Sequence, residues 1–302
     1  LVGAALEQVV LADARLELNG TDSDAANRLF AKVAQMTGDI HSVRSDFDEA
    51  ERWYRRITER VTDESLAALQ ADRLGSVARK RGRLEDAVAH YQEGLQKARR
   101  IGDRKMEATT ARHVALVNRR LVDAGRFDSE SERAAMLAEA ADLLEESLMI
   151  ADQLGDEHER AAVLGNLSLV RLLQEHSEAA EERAREGIEV TDRLTKPAEE
   201  GWMRNNLGDA YLAQGQVRAA AAEYELSRRL NEFVGNRRET ARSLRGLSET
   251  ARSHGDIDRA DRLLASADEI SEAIGDEHAG GSDSQDIEDK QATDSDETID
   301  ER

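Results

Sequence analysis

The apolar and small residues of the chain recur at helical spacing, and the whole pattern returns about every 40 residues. Each copy contains a pair of adjacent residues whose second member is small. An alanine follows thirteen positions after the first member of the pair. In the third copy the alanine comes 13 residues later than this spacing requires, which predicts an insertion there. Six copies in one order predict a repeat protein. The pairs are Thr37-Gly38, Leu74-Gly75, Val114-Ala115, Leu167-Ser168, Leu207-Gly208 and Leu247-Ser248, and the alanines are Ala50, Ala87, Ala140, Ala180, Ala220 and Ala260.

Each copy predicts two antiparallel α-helices, which we call helix A and helix B. The small residue lies on helix A and the alanine on helix B, because helix axes about 8–10 Å apart leave room only for small side chains at the crossing. Glycine marks both turns, since it takes a left-handed conformation at least cost. In the fourth copy Pro197, the only proline, is predicted to end helix B in place of that glycine. The turn glycines are Gly82, Gly215 and Gly255 after helix A, and Gly102, Gly155, Gly235 and Gly275 after helix B.

The clearest copy is Asn205–Tyr211, with the sequence Asn-Asn-Leu-Gly-Asp-Ala-Tyr. Numbered so that its Leu-Gly pair takes positions seven and eight, a copy has alanine at twenty and commonly a tyrosine at twenty-four, as at Tyr224. This pattern resembles the tetratricopeptide repeat family, whose usual period is 34 residues. The longer period here resembles the repeats of kinesin light chains and spindle-orientation adaptors. Position eleven, often tyrosine in that family, is tyrosine at Tyr211 but Arg171 or Asn118 in other copies.

The resemblance covers about residues 30–278. It implies an all-α fold, a right-handed α-solenoid of six antiparallel helix hairpins. The predicted domains are an N-terminal helix or cap over 1–28, the repeats over 29–278, and a disordered acidic tail over 279–302. Within the tail, nine acidic residues and two sizeable apolar ones cannot offset the entropy lost on ordering. The repeats are predicted at about 31–67, 68–107, 108–160, 161–200, 201–240 and 241–278.

The insertion in the third repeat is predicted near residues 123–135. Ser129 and Glu132 have the spacing of a capping box, so helix B of that repeat is predicted to begin there and to run to about Ala151. Insertions in repeat proteins usually fall in loops on one face. The insertion is therefore either a tolerated surface loop or a functional one.

Composition narrows the classes of function. The 302 residues include 63 acidic and 42 basic ones, for a net charge of −21. Such a charge disfavours direct binding to nucleic acid or to an anionic membrane surface. The chain has no cysteine, which excludes disulfides, thiolate nucleophiles and cysteine-based metal sites. No apolar run approaches the length of about 20 residues that a membrane helix needs, so we expect a cytoplasmic protein.

No pattern of residues indicates catalysis or a cofactor. The seven histidines are scattered and form no His-x-x-x-His pair. Apart from Gly280-Gly281, glycines stand singly at turns or helix crossings, so that no loop is suited to cradle phosphate. A Gly-x-Ser-x-Gly nucleophile elbow is also missing. We therefore predict a protein that is not an enzyme and that holds neither cofactor nor metal.

The resemblance further implies that helix A lines a concave surface, on which a partner peptide binds. The implied inward positions are basic in the second, third and sixth repeats, and apolar or asparagine in the fourth and fifth. Asparagine can both donate to and accept from a peptide backbone, and arginine offers forked donors to carboxylates. The predicted peptide-binding residues are Arg73, Arg79, Lys80, Arg112, Arg119, Arg120, Asn166, Leu169, Leu173, Trp202, Asn205, Asn206, Asp209, Arg242 and Arg245.

These observations lead to one main hypothesis and two alternatives. The main one is a protein–protein interaction scaffold that binds a peptide of acidic or mixed character. The first alternative is a C-terminal sensor or regulatory segment of a larger signalling ATPase or transcription regulator, suggested by a chain that does not begin with methionine. In the second, the acidic tail folds back onto the arginines of the groove. Residue by residue, the alternative to a ligand contact is a solvated charged face, a local cap at Asn206, or packing of Trp202 on the preceding hairpin.

Overall fold

The computed structural model describes residues 24–60 and 62–279, which contain twelve α-helices. Residues 1–23 and 280–302 lie outside this range, and with them the predicted helix before residue 24 and nearly all of the predicted tail. The described residues divide into two compact units, which separate between residues 127 and 128. We call the part up to residue 127 unit 1 and the part from residue 128 unit 2.

Unit 1 contains five helices. In sequence order, α1 pairs with α2 and α3 with α4 as antiparallel hairpins, and α5 packs against α4. The helices are α1 Asp24–Val43, α2 Phe47–Arg56, α3 Glu64–Lys80, α4 Leu84–Ile101 and α5 Arg104–Asp123.

Unit 2 contains seven helices. Three hairpins are formed by α7 with α8, α9 with α10 and α11 with α12, and α6 packs against α7. The A helices also contact one another, α7 with α9 and α9 with α11. The helices are α6 Glu130–Leu154, α7 Glu157–Leu173, α8 Ser177–Arg193, α9 Pro197–Ala213, α10 Val217–Val234, α11 Arg237–Ser253 and α12 Ile257–Ala279.

The 40-residue period is visible in where the helices begin. Helices α7, α9 and α11 start at residues 157, 197 and 237, and helices α8, α10 and α12 start at 177, 217 and 257. In unit 1, α3 and α5 start at 64 and 104. The prediction of an all-α fold made of antiparallel hairpins is confirmed, and residues 40 apart in unit 2 occupy equivalent places on successive hairpins.

Small residues lie where the helices of a hairpin meet. All six repeat alanines, including Ala50 and Ala220, are fully buried. On the facing helix, a Cβ added at Gly208 would stand 2.6 Å from the ring of Tyr224. The corresponding distance is 2.7 Å from Gly75 to Tyr91. Both distances are shorter than any real contact, so the glycine and the tyrosine ring of a hairpin depend on each other.

The turns follow the predicted glycines at most positions. Gly82 and Gly235 have φ angles of 72° and 73°, in the left-handed region. Glu175 and Thr195 stand 40 residues before Gly215 and Gly235, and they adopt φ angles of 64° and 55°. Residues with a Cβ thus take over the same backbone conformation in the fourth repeat, at some cost in strain.

Two predicted helix ends are corrected. Pro197 does not end α8, which stops at Arg193, but stands in the first turn of α9, where its missing N–H is not needed. Gly275 does not end α12 either, because that helix continues to Ala279.

The insertion in the third repeat lengthens helices more than loops. Helix α6 has 25 residues where α4 and α10 have 18, and α5 has 20 where α7 and α9 have 17. The connection between α5 and α6 is residues 124–129. As predicted, helix α6 begins at a cap in which Ser129 accepts from the backbone N–H of Glu132 at 3.2 Å. The two compact units divide within this connection.

Candidate functional site

Asn205 and Asn206, predicted to hold a peptide backbone, are fully buried. The Asn205 amide donates to the backbone carbonyl and the carboxylate of Glu239, and its oxygen accepts from the Ser243 hydroxyl at 2.8 Å. The Asn206 amide donates to the carbonyl of Gly165 at 3.1 Å. Both asparagines therefore bind the adjacent A helices, α7 and α11, and the prediction that they contact a ligand is corrected.

Asn206 also belongs to a network of polar side chains on the A helices, which contains an ion pair between Arg242 and Asp209. Arg242 donates to Asn206 Oδ1 at 2.8 Å and to Asp209 Oδ2 at 2.5 Å. The Tyr224 hydroxyl donates to Asp209 Oδ1 at 2.6 Å. Burial lowers the pKa of Arg242, but the carboxylates of Asp209 and Glu239 outweigh it and hold that pKa above its usual value. Burial and the charge of Asp209 raise the pKa of Tyr224.

Replacing Asn206 by alanine is expected to lower the free energy of unfolding by about 1–3 kcal/mol. The change removes the hydrogen bond from the Asn206 amide to the Gly165 carbonyl and takes an acceptor from Arg242. Urea unfolding followed by circular dichroism measures the loss. The matched control is Gln153→Ala, an exposed amide on α6, which should change stability by less than about 0.5 kcal/mol. Equal stabilities for N206A and wild type would contradict this assignment.

Four further predicted ligand residues are corrected for the same reason. Asn166, Arg79 and Arg112 are buried, and the Asn166 amide donates to a carbonyl of its own helix. Trp202 is buried against Gly165 of the preceding A helix, where any added Cβ would overlap its ring. Packing on the preceding hairpin, the alternative considered for Trp202, is what the structure shows.

A buried hydrogen bond between a histidine and a carboxylate joins α3 to α5 in unit 1. His113 Nδ1 lies 2.8 Å from Asp72 Oδ1, and the Thr110 hydroxyl donates to the same oxygen at 3.4 Å. The ring of Tyr91 lies 5.0 Å from that of His113. Burial raises the pKa of Tyr91 to about 12. These polar groups lie between helices and hold the stack together.

The remaining predicted basic residues of unit 1 are half-buried. Three of them contact side chains of the same unit. Arg73 and Arg119 face carboxylates, which partly compensate their charges, whereas Lys80 donates to a neutral hydroxyl. Arg120 is half-buried as well. The contacts are Arg73 Nε to Asp39 at 3.5 Å, Lys80 Nζ to Ser42 Oγ at 3.2 Å and Arg119 to Asp123 at 2.7 Å.

In unit 2, four leucines on the A helices remain accessible. Leu169, Leu172 and Leu173 are half-buried and share one face of α7, because residues three and four apart are neighbours on a helix. Leu212 is half-buried at the place on α9 that is equivalent to Leu172 on α7. We call these four residues the leucine patch.

The equivalent positions on α11 are charged and exposed. Glu249 corresponds to Asp209, and Arg252 corresponds to Leu212. Arg245 lies on the same helix and is exposed. Burial, followed by the charge of Asp209, raises the pKa of Glu249. The A-helix face of unit 2 thus changes from apolar on α7 to charged on α11.

A recurring tyrosine contact could have been found in the sequence. The hydroxyl at position twenty-four bonds the side chain at position nine in three hairpins, and the two residues are always 15 apart. In the sequence, the contact corresponds to a tyrosine that follows an aspartate or a serine by 15 residues. The pairs are Tyr54 with Asp39 at 2.7 Å, Tyr91 with Ser76 at 2.9 Å and Tyr224 with Asp209 at 2.6 Å.

Residues 24–60 and 62–279 contain neither a candidate metal site nor a candidate membrane span. No three His, Asp or Glu side chains there are grouped so that they could bind a metal ion. Over the same residues, every helix is too short or too polar to cross a membrane.

The sequence and the fold were compared with those of known proteins. Residues 199–273 match the family model of the tetratricopeptide repeat. No curated protein matches the chain. Several solved structures share its fold.

One similar structure is the Signal Transduction ATPase with Numerous Domains protein with a tetratricopeptide repeat sensor from Pyrococcus horikoshii, with 16% identity over 83% of this chain and 38% of that chain, and a TM-score of 0.62. A second is the Rap conjugation gene regulator of plasmid pLS20, in complex with the Phr* peptide. Its identity is 15% over 81% of this chain and 74% of that chain, and its TM-score is 0.55. A third is a putative kinesin light chain with nearly identical repeats from Podospora anserina. Its identity is 14% over 71% of this chain and 99% of that chain, and its TM-score is 0.54. At these identities the likeness shows the fold, an α-solenoid of tetratricopeptide-type hairpins.

Proposed function

We propose that this chain, whose residues 199–273 match the tetratricopeptide repeat, binds an extended segment of a partner protein on the A-helix face of unit 2. That face is formed by α7, α9 and α11, which contact one another in order. Stacked hairpins present their A helices as one continuous row, which suits a ligand that runs across the hairpins.

The observation that carries this proposal is the leucine patch beside exposed arginines. Tetratricopeptide-type packing accounts for Leu207 and Gly208, which are buried in the hairpin, but it does not require Leu169, Leu172 or Leu173 to stay accessible. Apolar side chains that form a contiguous patch accessible to solvent commonly mark an interaction site. Burying them against a partner would gain about 25 cal/mol per Å² of apolar surface.

The charges beside the patch define the chemistry of the partner. Arg245 contacts Asp268 at 3.4 Å and Arg252 contacts Asp261 at 2.9 Å, in both cases on the protein surface. Exposed ion pairs are worth less than about 1 kcal/mol, so a partner's carboxylates can replace them at little cost. Arg242 is different, because Asp209 and Asn206 already occupy it. We infer a segment with an apolar side chain for the leucine patch and carboxylates for Arg245 and Arg252.

One of the similar structures supports this use of the fold. The Rap conjugation regulator, at 15% identity, was solved in complex with the Phr* peptide. A stack of hairpins of this type is therefore able to hold a peptide, and the accessible residues of this chain decide what kind it holds.

The experiment is a selection of random phage-displayed peptides on the full chain, followed by affinity measurements with the variants R245E/R252E and L169S/L172S. Selected peptides should contain both apolar and acidic residues. The charge reversal should weaken their binding by about tenfold or more, which is about 1.4 kcal/mol, and more strongly at low salt. The leucine substitutions should weaken it at any salt concentration.

The matched control is Arg229→Glu on the outer helix α10, whose side chain is also exposed and also pairs with a glutamate. Circular dichroism should show the same helix content in all variants. Peptides that bind R245E/R252E, L169S/L172S and R229E as tightly as wild type would place the binding surface elsewhere and refute the proposal.

A second candidate function is the sensor segment of a larger signalling protein. Its support is the similarity to the ATPase with a tetratricopeptide repeat sensor, of which this chain covers 38%. Sequencing the gene upstream of the codon for Leu1 tests it. An in-frame nucleotide-binding module supports this function, whereas a start codon immediately before Leu1 removes it.

A further inference from the structure

An unusually exposed aromatic side chain stands at the end of helix α10. Phe233 is 84% exposed, whereas the next most exposed large apolar residue in the part of the chain that the structure describes, Ile257, is 52% exposed. An isolated exposed leucine needs no explanation, but a phenylalanine almost wholly in water gives up the burial energy of a large ring. Neither the hairpin packing nor the proposed A-helix site uses Phe233.

Two arginines follow Phe233 at the same turn. Arg237 and Arg238 are exposed and form the first turn of α11. The N-terminus of a helix carries partial positive charge, so cations are disfavoured there. At the same place α9 has Pro197 and Ala198, which carry no charge. We call Phe233, Arg237 and Arg238 the turn patch, which combines a bare ring with two cations.

Helix α12 ends at the same end of the hairpin as this turn, and an acidic segment follows it in the sequence. Helix α12 packs antiparallel to α11, so its last residues lie at the end of the hairpin where α11 begins. It has 23 residues where α11 has 17, and a helix rises about 1.5 Å per residue, so α12 extends roughly 9 Å past that end. The described chain therefore leaves α12 at the same end of the hairpin as the turn patch, and ten further residues can span up to about 35 Å.

The sequence of that segment is complementary to the turn patch. Ile287 is flanked by Asp286 and Glu288, with Asp283 and Asp289 close by. An isoleucine can cover the Phe233 ring while its acidic neighbours meet the two arginines. Covalent attachment gives such a segment an effective concentration of order millimolar, so even a weak contact would be populated. We propose that residues 282–289 bind the turn patch of the same chain.

Site-specific fluorescence quenching in the full chain tests this contact. The protein has no cysteine, so Ser284→Cys carries a single bimane label. Tryptophan quenches bimane on contact, and Phe233→Trp places a quencher in the turn patch. Leu226→Trp, two turns earlier on the same helix and also exposed, is the matched control. The native Trp53 and Trp202 are common to both variants.

The expected result is loss of bimane fluorescence in F233W but not in L226W. Raising the salt from about 0.05 to about 0.5 M should restore it, because screening weakens the ionic part of the contact. Adding R237E/R238E to F233W should restore it as well. Equal fluorescence in F233W and L226W would overturn the proposal. Quenching that grows with protein concentration would overturn it too, since the contact would then be with a second copy of the chain.

Discussion

Replacing Tyr224 by alanine is expected to lower the free energy of unfolding by about 3–5 kcal/mol. The side chain is 1% exposed and lies between Gly208 and Gly246, where added Cβ atoms would stand 2.6 and 2.5 Å from the ring. Because both facing residues are glycines, no neighbouring side chain at these two positions can move into the space. Urea unfolding monitored by circular dichroism measures the loss.

Two controls separate the ring of Tyr224 from its hydroxyl. Tyr224→Phe keeps the ring and removes only the hydrogen bond to Asp209, so it should cost about 1–3 kcal/mol. Phe233→Ala removes an aromatic ring from the same helix at an exposed position and should change stability by less than about 0.5 kcal/mol. If Y224A and F233A were equally destabilising, the assignment of Tyr224 to the crossing would be wrong.

Replacing Asp72 by alanine is expected to destabilise the protein by a similar amount, about 3–5 kcal/mol. The carboxylate is buried and lies 2.8 Å from His113, with Arg112 buried on the same helix as His113. Its removal deprives two buried basic side chains of their acidic neighbour. Asp123→Ala is the matched control, because Asp123 binds Arg119 at the surface of the same unit and should cost less than about 1 kcal/mol. Similar losses in the two variants would contradict the prediction.

The Asp72 carboxylate also makes the free energy of unfolding depend on pH. Burial raises the pKa of Asp72, but the charge and hydrogen bond of His113, with Arg73 and Arg112, outweigh it and hold the pKa below its usual value. The contribution of Asp72 is therefore complete above its unfolded pKa, about 3.9, and is lost as the pH falls through the lower folded value. Between about pH 5 and pH 3, wild type should lose more stability than Asp72→Asn. Parallel pH profiles for the two proteins would show that Asp72 is not the group responsible.

The fold was predictable because the residues that determine helix packing recur at the same positions in each repeat. The small second residue of each pair and the repeat alanine mark the helix crossings, and the turn glycines mark most helix ends, so each hairpin can be recognised from its own sequence. Errors occurred where a residue departs from the repeat. Thr195 adopts the conformation of the missing glycine, so Pro197 was free to begin α9 instead of ending α8.

The candidate site was less predictable, because position within a repeat gives the direction of a side chain but not what covers it. Asn205 and Asn206 were expected in the groove, but they bond to neighbouring A helices. A neighbouring A helix then buries them, and their partners Glu239 and Arg242 lie 34 and 36 residues further along the chain. A single repeat cannot show such contacts. Comparing each helix A with the next one would have revealed the amide and charge pairs.

The buried polar contacts between A helices have a consequence for modularity. Hairpins of equal length suggest blocks that can be exchanged or duplicated at will. The amide of Asn205, however, needs Glu239, and that of Asn206 needs the carbonyl of Gly165 on the other side. A hairpin moved to another place would leave these groups buried without partners, at a cost of about 1–3 kcal/mol for each. The order of the hairpins in unit 2 thus depends on the contacts between neighbouring A helices. Recombination between repeats is restricted to exchanges that carry both partners of such a contact together.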